Sequence, residues 1–203
     1  GDGDFMNHTI SGDLNISVNG GRVLMDMAVP VKKNEITSEE GKRELYKIMG
    51  LDYDDLKARG LELTPQMIST GLPDIMMPVN TLEDLENIEP DFKALSDLSA
   101  RYEVVGVHAF TLDGDDATCH VRNFAPLYDI DEEAATGTSN GALTYYGYLN
   151  GFVKSGDDCR FVQGEKMKRP SVIESHIEVD ADGGCLIRVG GGGVMLAEGE
   201  INL

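Results

Sequence analysis

Apolar and polar side chains alternate along two runs near the start of the chain. Leu14, Ile16 and Val18 form the first, Val23, Met25, Met27 and Val29 the second, and Asn19-Gly20-Gly21 lies between them. Period-two alternation on both sides of Asn-Gly predicts a β-hairpin over 11–29. Pro30, which cannot donate to a ladder, ends the second strand. The pattern then turns helical. Thr37 and Glu40 stand at capping-box spacing, and Leu45, Ile48 and Met49 mark one face of a short helix that stops at Gly50. The Asp-rich stretch 52–59 reads as loop. A strand is expected around 66–70, broken by Gly71-Leu72-Pro73, and the second apolar run at 75–79 is expected to continue the same sheet after a bulge. Thr81 and Asp84 start another short helix. Pro90 suits the first turn of the next, whose buried stripe is Phe92, Leu95, Leu98 and Tyr102. Strands over 104–112 and 117–125 pair across the turn Asp113-Gly114-Asp115-Asp116, and 126–131 is loop.

The pattern changes most sharply at 133–151. A polar stretch with small residues runs into Ala142, Leu143, Tyr145, Tyr146, Tyr148 and Leu149, which occupy most sides of a helical wheel. A helix apolar nearly all round is wrapped by other elements, so a central helix is expected over 138–149, with Gly151 just past its end. One of Thr136, Thr138, Ser139 and Asn140 is expected to cap it. Strands at 160–163, 172–179, 185–189 and 194–203 complete the layout. Gly190 to Gly193 are not a phosphate loop, because a strand pattern rather than a helix follows; they are expected to form a turn or bulge, with the backbone close to another segment. The predicted class is α+β: a curled, mostly antiparallel sheet around a central helix.

The loop before that helix also offers candidate chemistry. Hydroxyls on Thr136, Thr138 and Ser139, unbonded backbone N–H groups over Gly137–Asn140 and the helix dipole together form a site for a carboxylate or a phosphate. The same stretch also describes a well-capped buried helix and nothing more.

Composition narrows the partners. The 203 residues carry a net charge of −19 with no Lys/Arg cluster, which argues against nucleic acid and anionic membrane. No apolar run approaches the ~18 residues that span a bilayer. Cys119, Cys159 and Cys185 are odd in number and widely spaced, which fits buried thiols and a cytoplasmic location better than a disulfide frame or a zinc site. His8, His108, His120 and His176 are scattered, so no metal is expected.

Several ordered stretches carry a resemblance. Ser69-Thr70-Gly71-Leu72-Pro73, Arg122-Asn123-Phe124-Ala125-Pro126, the run from Ile130 to Gly141, Gln163-Gly164-Glu165 through Ser171, and Ile187-Arg188-Val189-Gly190-Gly191 resemble the phenazine-biosynthesis PhzF-like isomerases from about residue 9 onward. The resemblance implies the diaminopimelate-epimerase fold, in which two lobes face each other across a cleft. It further implies proton transfer on a small carboxylate or amino-acid-like substrate, with no cofactor and no metal. Thr136, Gly137, Thr138, Ser139 and Asn140 would then hold the substrate carboxylate, Thr138 standing where the family usually has Ser. Glu133, where the family usually has Asp, would hold or polarise the substrate as the catalytic residue. The family's general-base glutamate and its Gly-His pair find no counterpart here. Residues 1–60 therefore resemble a remnant of the first lobe and 61–203 the second lobe. A homodimer, or a chain supplying the rest of the first lobe, is the expected partner. Two functions remain open: an isomerase or epimerase lobe whose base lies elsewhere, and a non-catalytic relative acting as a carboxylate-binding or dimerisation module.

Overall fold

The computed structural model describes residues 1–10, 12–193 and 197–200. Its strands are β1 (Gly3–Thr9), β2 (Gly12–Asn19), β3 (Arg22–Asp26), β4 (Val31–Glu35), β5 (Gln66–Ser69), β6 (Pro73–Pro78), β7 (Gly106–Thr111), β8 (Cys119–Ala125), β9 (Ile130–Glu133), β10 (Asp158–Gln163), β11 (Ser171–Val179) and β12 (Cys185–Gly192). The helices are α1 (Glu39–Ile48), α2 (Tyr53–Ala58), α3 (Leu82–Glu86), α4 (Phe92–Tyr102) and α5 (Gly137–Asn150), with one 3-10 turn at Pro126–Tyr128.

All strands join one sheet in the order β1-β2-β3-β12-β11-β10-β8-β7-β6-β5-β4, with β9 added beside β8. Among the described residues every pairing is antiparallel except β6 with β7 and β10 with β8. The sheet curls around α5. That helix touches β11 and β12 near one side of the strand order and β5 and β6 near the other, which a flat sheet would not allow. Alternation along the strands divides the core in two. Met67, Ile75, Met77, Val107, Ala109 and Phe124 face outward onto α1–α4. Their neighbours Ile68, Met76, Phe110 and Val121 face inward onto Ala142, Leu143 and Tyr146 of α5. With helices on both faces, β5 to β8 are buried apart from Pro73 at the start of β6 and lose the polar-out rhythm of a surface strand.

The hairpin forms as β2 and β3 around Gly20-Gly21. It joins the sheet through β3 and β12, while β4 joins at the other end through β5. No residue of β1, β2 or β3 is buried, and Phe5 and Met6 are half exposed.

Several expectations need correction. Asp52–Arg59 contains α2, because the Asp52 side chain accepts from the Asp54 and Asp55 N–H groups and so starts a helix. Helix α1 is capped by Ser38, whose hydroxyl accepts from Gly41, and not by Thr37. Pro90 lies outside α4, which Asp91 caps. The two runs share the sheet as β5 and β6, joined by a reversal of the chain at Thr70–Leu72 into a hairpin in place of the expected bulge. β1, β4 and β9 had no counterpart in the pattern. Helix α5 is less enclosed than its wheel suggests: Tyr146 is fully buried, Tyr145 is half-buried and Leu149 is 42% exposed. Of the strand expected at 194–203, residues 194–196 and 201–203 lie outside the described residues, and 197–200 are irregular. The expected turn at Gly190 is a continuation of β12 to Gly192, paired with β3.

The close approach expected there is real. A Cβ on Gly190 would lie 1.8 Å from the Val23 carbonyl oxygen. Gly190→Ala should therefore lower stability by about 1–3 kcal/mol or more in urea unfolding. Gly192→Ala, with nothing within 4 Å of its added Cβ, should change it by less than about 0.5 kcal/mol. Equal effects would show that the β3–β12 contact does not set this position.

Candidate active site

The site is built on the first turn of α5. Thr136 is the N-cap residue, with extended backbone, yet its side chain does not cap the helix. Its hydroxyl instead donates to Glu133 Oε2 at 3.1 Å and accepts from Gln163 Nε2 at 3.0 Å. Among the described residues nothing accepts from the backbone N–H of Gly137, Thr138 or Ser139. The Asn140 N–H is bonded to the Thr136 carbonyl at 3.2 Å, so three N–H groups are free and not four. They sit at the positive end of a 14-residue helix.

This turn is held from beneath by amides. Gln163, at the end of β10, donates to the Glu133 carbonyl (2.7 Å) and accepts from Thr136 N–H (3.2 Å) and Asn140 Nδ2 (3.0 Å). Asn140 also donates to the Thr136 carbonyl (2.9 Å), while its Oδ1 meets His108 Nε2 on β7 (3.2 Å). Asn123 on β8 donates to His108 Nδ1 (3.1 Å) and to Ser139 Oγ (3.2 Å). Ser139 Oγ in turn donates to Asp74 Oδ2 on β6 (2.5 Å). With Asn123 donating to Nδ1, the His108 ring carries its proton on Nε2 and is neutral. Burial is the main reason its pKa falls to about 4, opposed by the Asn140 bond.

Strand alternation explains where the acids point. Arg122 faces outward on β8, stacked over Phe124, and its Nη1 donates to the Leu85 and Ile88 carbonyls at the end of α3. Glu132 on β9 forks onto it through two 2.8 Å bonds. The next residue, Glu133, therefore faces the opposite side of the sheet. There it lines, among others, two cavities of about 490 and 290 Å³ that share residues of the α5 turn. Thr136 and Thr138 line both.

All six residues read from the sequence lie at this turn, and five of them line a cavity. Glu133, Thr136, Gly137 and Thr138 face a cavity. Ser139 faces the smaller one but has its hydroxyl engaged with Asp74. Asn140 is wholly buried and acts on the loop from within. Sequence reading missed Asp74, His108, Asn123 and Gln163. Their signal was a polar residue at an inward position of a strand whose other inward residues are apolar. Asp74 is 3% exposed and lines the smaller cavity, and its Oδ1 has no hydrogen-bond partner. Burial raises its pKa to about 6, against the Ser139 and Gly106 hydrogen bonds and with the help of the nearby Glu133 charge.

These two groups give opposite pH dependence. His108 titrates lower when folded, near 4 rather than 6.5, so its contribution to stability is present above 6.5 and is lost as pH falls through about 4. Asp74 titrates higher, near 6 rather than 3.8, so its contribution is present below 3.8 and is lost as pH rises through about 6. Each shift is worth at most about 3 kcal/mol. Asp74→Asn should therefore gain stability relative to the parent as pH rises from acid to above neutrality, read by urea unfolding at several pH values. A pH-independent difference would place the Asp74 carboxyl in an environment unlike this one.

Comparison with known proteins adds the family. The sequence model described as phenazine biosynthesis-like protein (PhzC-PhzF) matches residues 5–199. An uncharacterized isomerase of Deinococcus radiodurans is 32% identical over 190 residues, covering 91% of this chain and 59% of that protein. The trans-2,3-dihydro-3-hydroxyanthranilate isomerase of Pseudomonas chlororaphis is 28% identical over 160 residues, covering 79% of this chain and 53% of that protein. A Bacillus anthracis phenazine biosynthesis protein of the PhzF family has a similar structure, with a TM-score of 0.80 at 22% identity over 95% of this chain and 66% of that one. The chain thus spans somewhat over half the length of the curated relatives it matches. With both the loop sequence and the sheet curled around α5 in agreement, the chain belongs to the phenazine biosynthesis-like (PhzC-PhzF) protein family.

Proposed function

We propose that this chain is the carboxylate-holding lobe of an isomerase that moves a proton on a small carboxylate substrate without a cofactor. The observation that carries the reading is the first turn of α5, whose three free N–H groups lie beside two cavities bordered by Glu133 and Thr138. A proton next to a carboxylate becomes removable when the charge left behind is stabilised. Preorganised N–H donors at a helix N-terminus supply that stabilisation, and the amide network beneath them limits reorganisation. The Thr138 side chain adds a hydroxyl. Glu133, hydrogen-bonded to Thr136, polarises the substrate from the side. It is given no proton-transfer role in this reading. This reading assigns the base to a group other than Glu133.

Acetate titration followed by NMR tests the binding half. The amides of 137–139 should shift with millimolar affinity, worth only ~4 kcal/mol. Thr138→Val, which keeps the shape and removes the hydroxyl, should weaken binding by ~1 kcal/mol. Glu133→Gln removes a like charge and should leave acetate binding equal or slightly tighter, while lowering turnover in an assembly that contains the base. Shifts confined to other regions would overturn the site. Binding in such an assembly without exchange of a substrate proton into deuterated solvent would favour the non-catalytic carboxylate-binding module.

A further inference from the structure

Arg169 is the one arginine among the described residues that holds no carboxylate; the other seven each form an ion pair. The chain has 36 acidic residues against 17 basic ones, so an arginine left without an acid is unexpected. Lys166 and Lys168 beside it also have no ion pair among the described residues. The acids that share its loop or its cavity are already engaged. Glu165 accepts from His120 Nδ1 at 2.7 Å, and both carboxylate oxygens of Glu132 accept from Arg122. Glu133 Oε2 accepts from the Thr136 hydroxyl.

The backbone around Arg169 is fixed. The loop 164–169 closes on itself, with Arg169 N–H donating to the Gly164 carbonyl (3.0 Å) and Lys168 N–H to the Glu165 carbonyl (2.9 Å). It rests on the segment that leads into α5: a Cβ on Gly164 would lie 2.4 Å from the Arg169 carbonyl oxygen and 2.9 Å from that of Ala134. Arg169 lines a further cavity, about 520 Å³, with Glu132, Glu133, Ala135 and Ser171. That cavity shares Glu133 and Ala135 with the one lined by Thr136, Gly137 and Thr138. Each of the two carries donors for an oxyanion, backbone N–H groups in one and a planar guanidinium fork in the other. We propose that Arg169 is a second anion-binding residue: it receives a further acidic group, carboxylate or phosphate-like, of the same molecule whose carboxylate rests on the first turn of α5. The inference rests on the carboxylate reading above and adds a second negative charge, away from the first, that this reading does not require. Glu133 lines both cavities and opposes a dianion, as does the net charge of −19, so any preference for two acidic groups depends on the guanidinium.

The experiment titrates succinate, glutarate and adipate into the full chain near neutral pH, each beside the monocarboxylate of the same carbon number. Phosphonoacetate, with a phosphate-like end, is compared with succinate. The amides of 137–139 and the Arg169 Nε–H signal are followed by NMR. In the parent at least one diacid should bind about fivefold more tightly than its monoacid, from one exposed bidentate ion pair on top of the roughly twofold gain of having two equal ends. The same diacid should move the Arg169 signal. Arg169→Gln, at an exposed position, should cut the ratio to about twofold or less and leave the monoacids unchanged. A phosphonoacetate that binds more tightly than succinate assigns a phosphate-like group to Arg169, and the reverse order a carboxylate; either supports the proposal when the gain falls in Arg169→Gln. Ratios of about two or less for every pair in the parent overturn the proposal and leave the carboxylate site standing. Ligands that all leave 137–139 unmoved overturn the carboxylate reading itself, and a shift at Arg169 alone then overturns the bridging as well. A gain that survives Arg169→Gln and disappears in Lys168→Gln belongs to Lys168 and overturns the role given to Arg169.

Discussion

The structure depends on the satisfaction of a few amides inside the curl of the sheet. A buried amide without partners costs roughly 1–3 kcal/mol, and here such groups meet one another. Gln163 alone holds the Glu133 carbonyl, the Thr136 backbone and the Asn140 side chain. The geometry of the α5 turn therefore belongs to β10 as much as to the helix. This explains why Thr136 can leave its N-cap function unfilled. Its hydroxyl is held between Glu133 and Gln163, and the helix N–H groups it would have satisfied stay open toward the cavities. A well-capped helix at this place would be more stable and less able to bind an anion.

The same sheet separates structural charge from site charge through its alternation. Arg122 and Glu132 face the α3 side, where they tie the end of that helix to β8 and β9. Asn123 and Glu133, one residue further along each strand, face α5. The acidic dipeptide Glu132-Glu133 thus splits into an anchored carboxylate, 15% exposed at its side chain, and one left to the cavity. A register slip of one residue in β9 would exchange them and remove the site.

This division marks what the sequence could reveal. The hairpin at β2–β3, the pair β7–β8, helix α5 and the capping box of α3 each announce themselves through local signals: Asn-Gly, alternation, or a hydroxyl three residues before an acid. α2 was missed because acids at 52, 54 and 55 read as loop until Asp52 is seen to cap. β1 and β4 have mixed patterns and are held as strands by their neighbours in the sheet. The α5 turn was legible because small and hydroxyl residues crowd there. The network beneath it was not, since its bonds join residues far apart in the chain: Asp74 with Ser139, His108 with Asn140, Asn140 with Gln163. A polar residue in an apolar strand signals that a partner exists without saying which.

Asp74 shows what such a residue costs and what its partner returns. An apolar residue of similar size at this inward position would avoid the desolvation that raises the Asp74 pKa to about 6. The pairing of β6 on both sides and the burial of Ile75 and Met76 do not depend on a charge there. What Asp74 does alter is the cavity, where it places an acceptor a single residue away from three donors. Part of that cost returns as fixed geometry, since the same carboxyl group anchors the Ser139 hydroxyl in the first turn of α5 at the wall of the cavity.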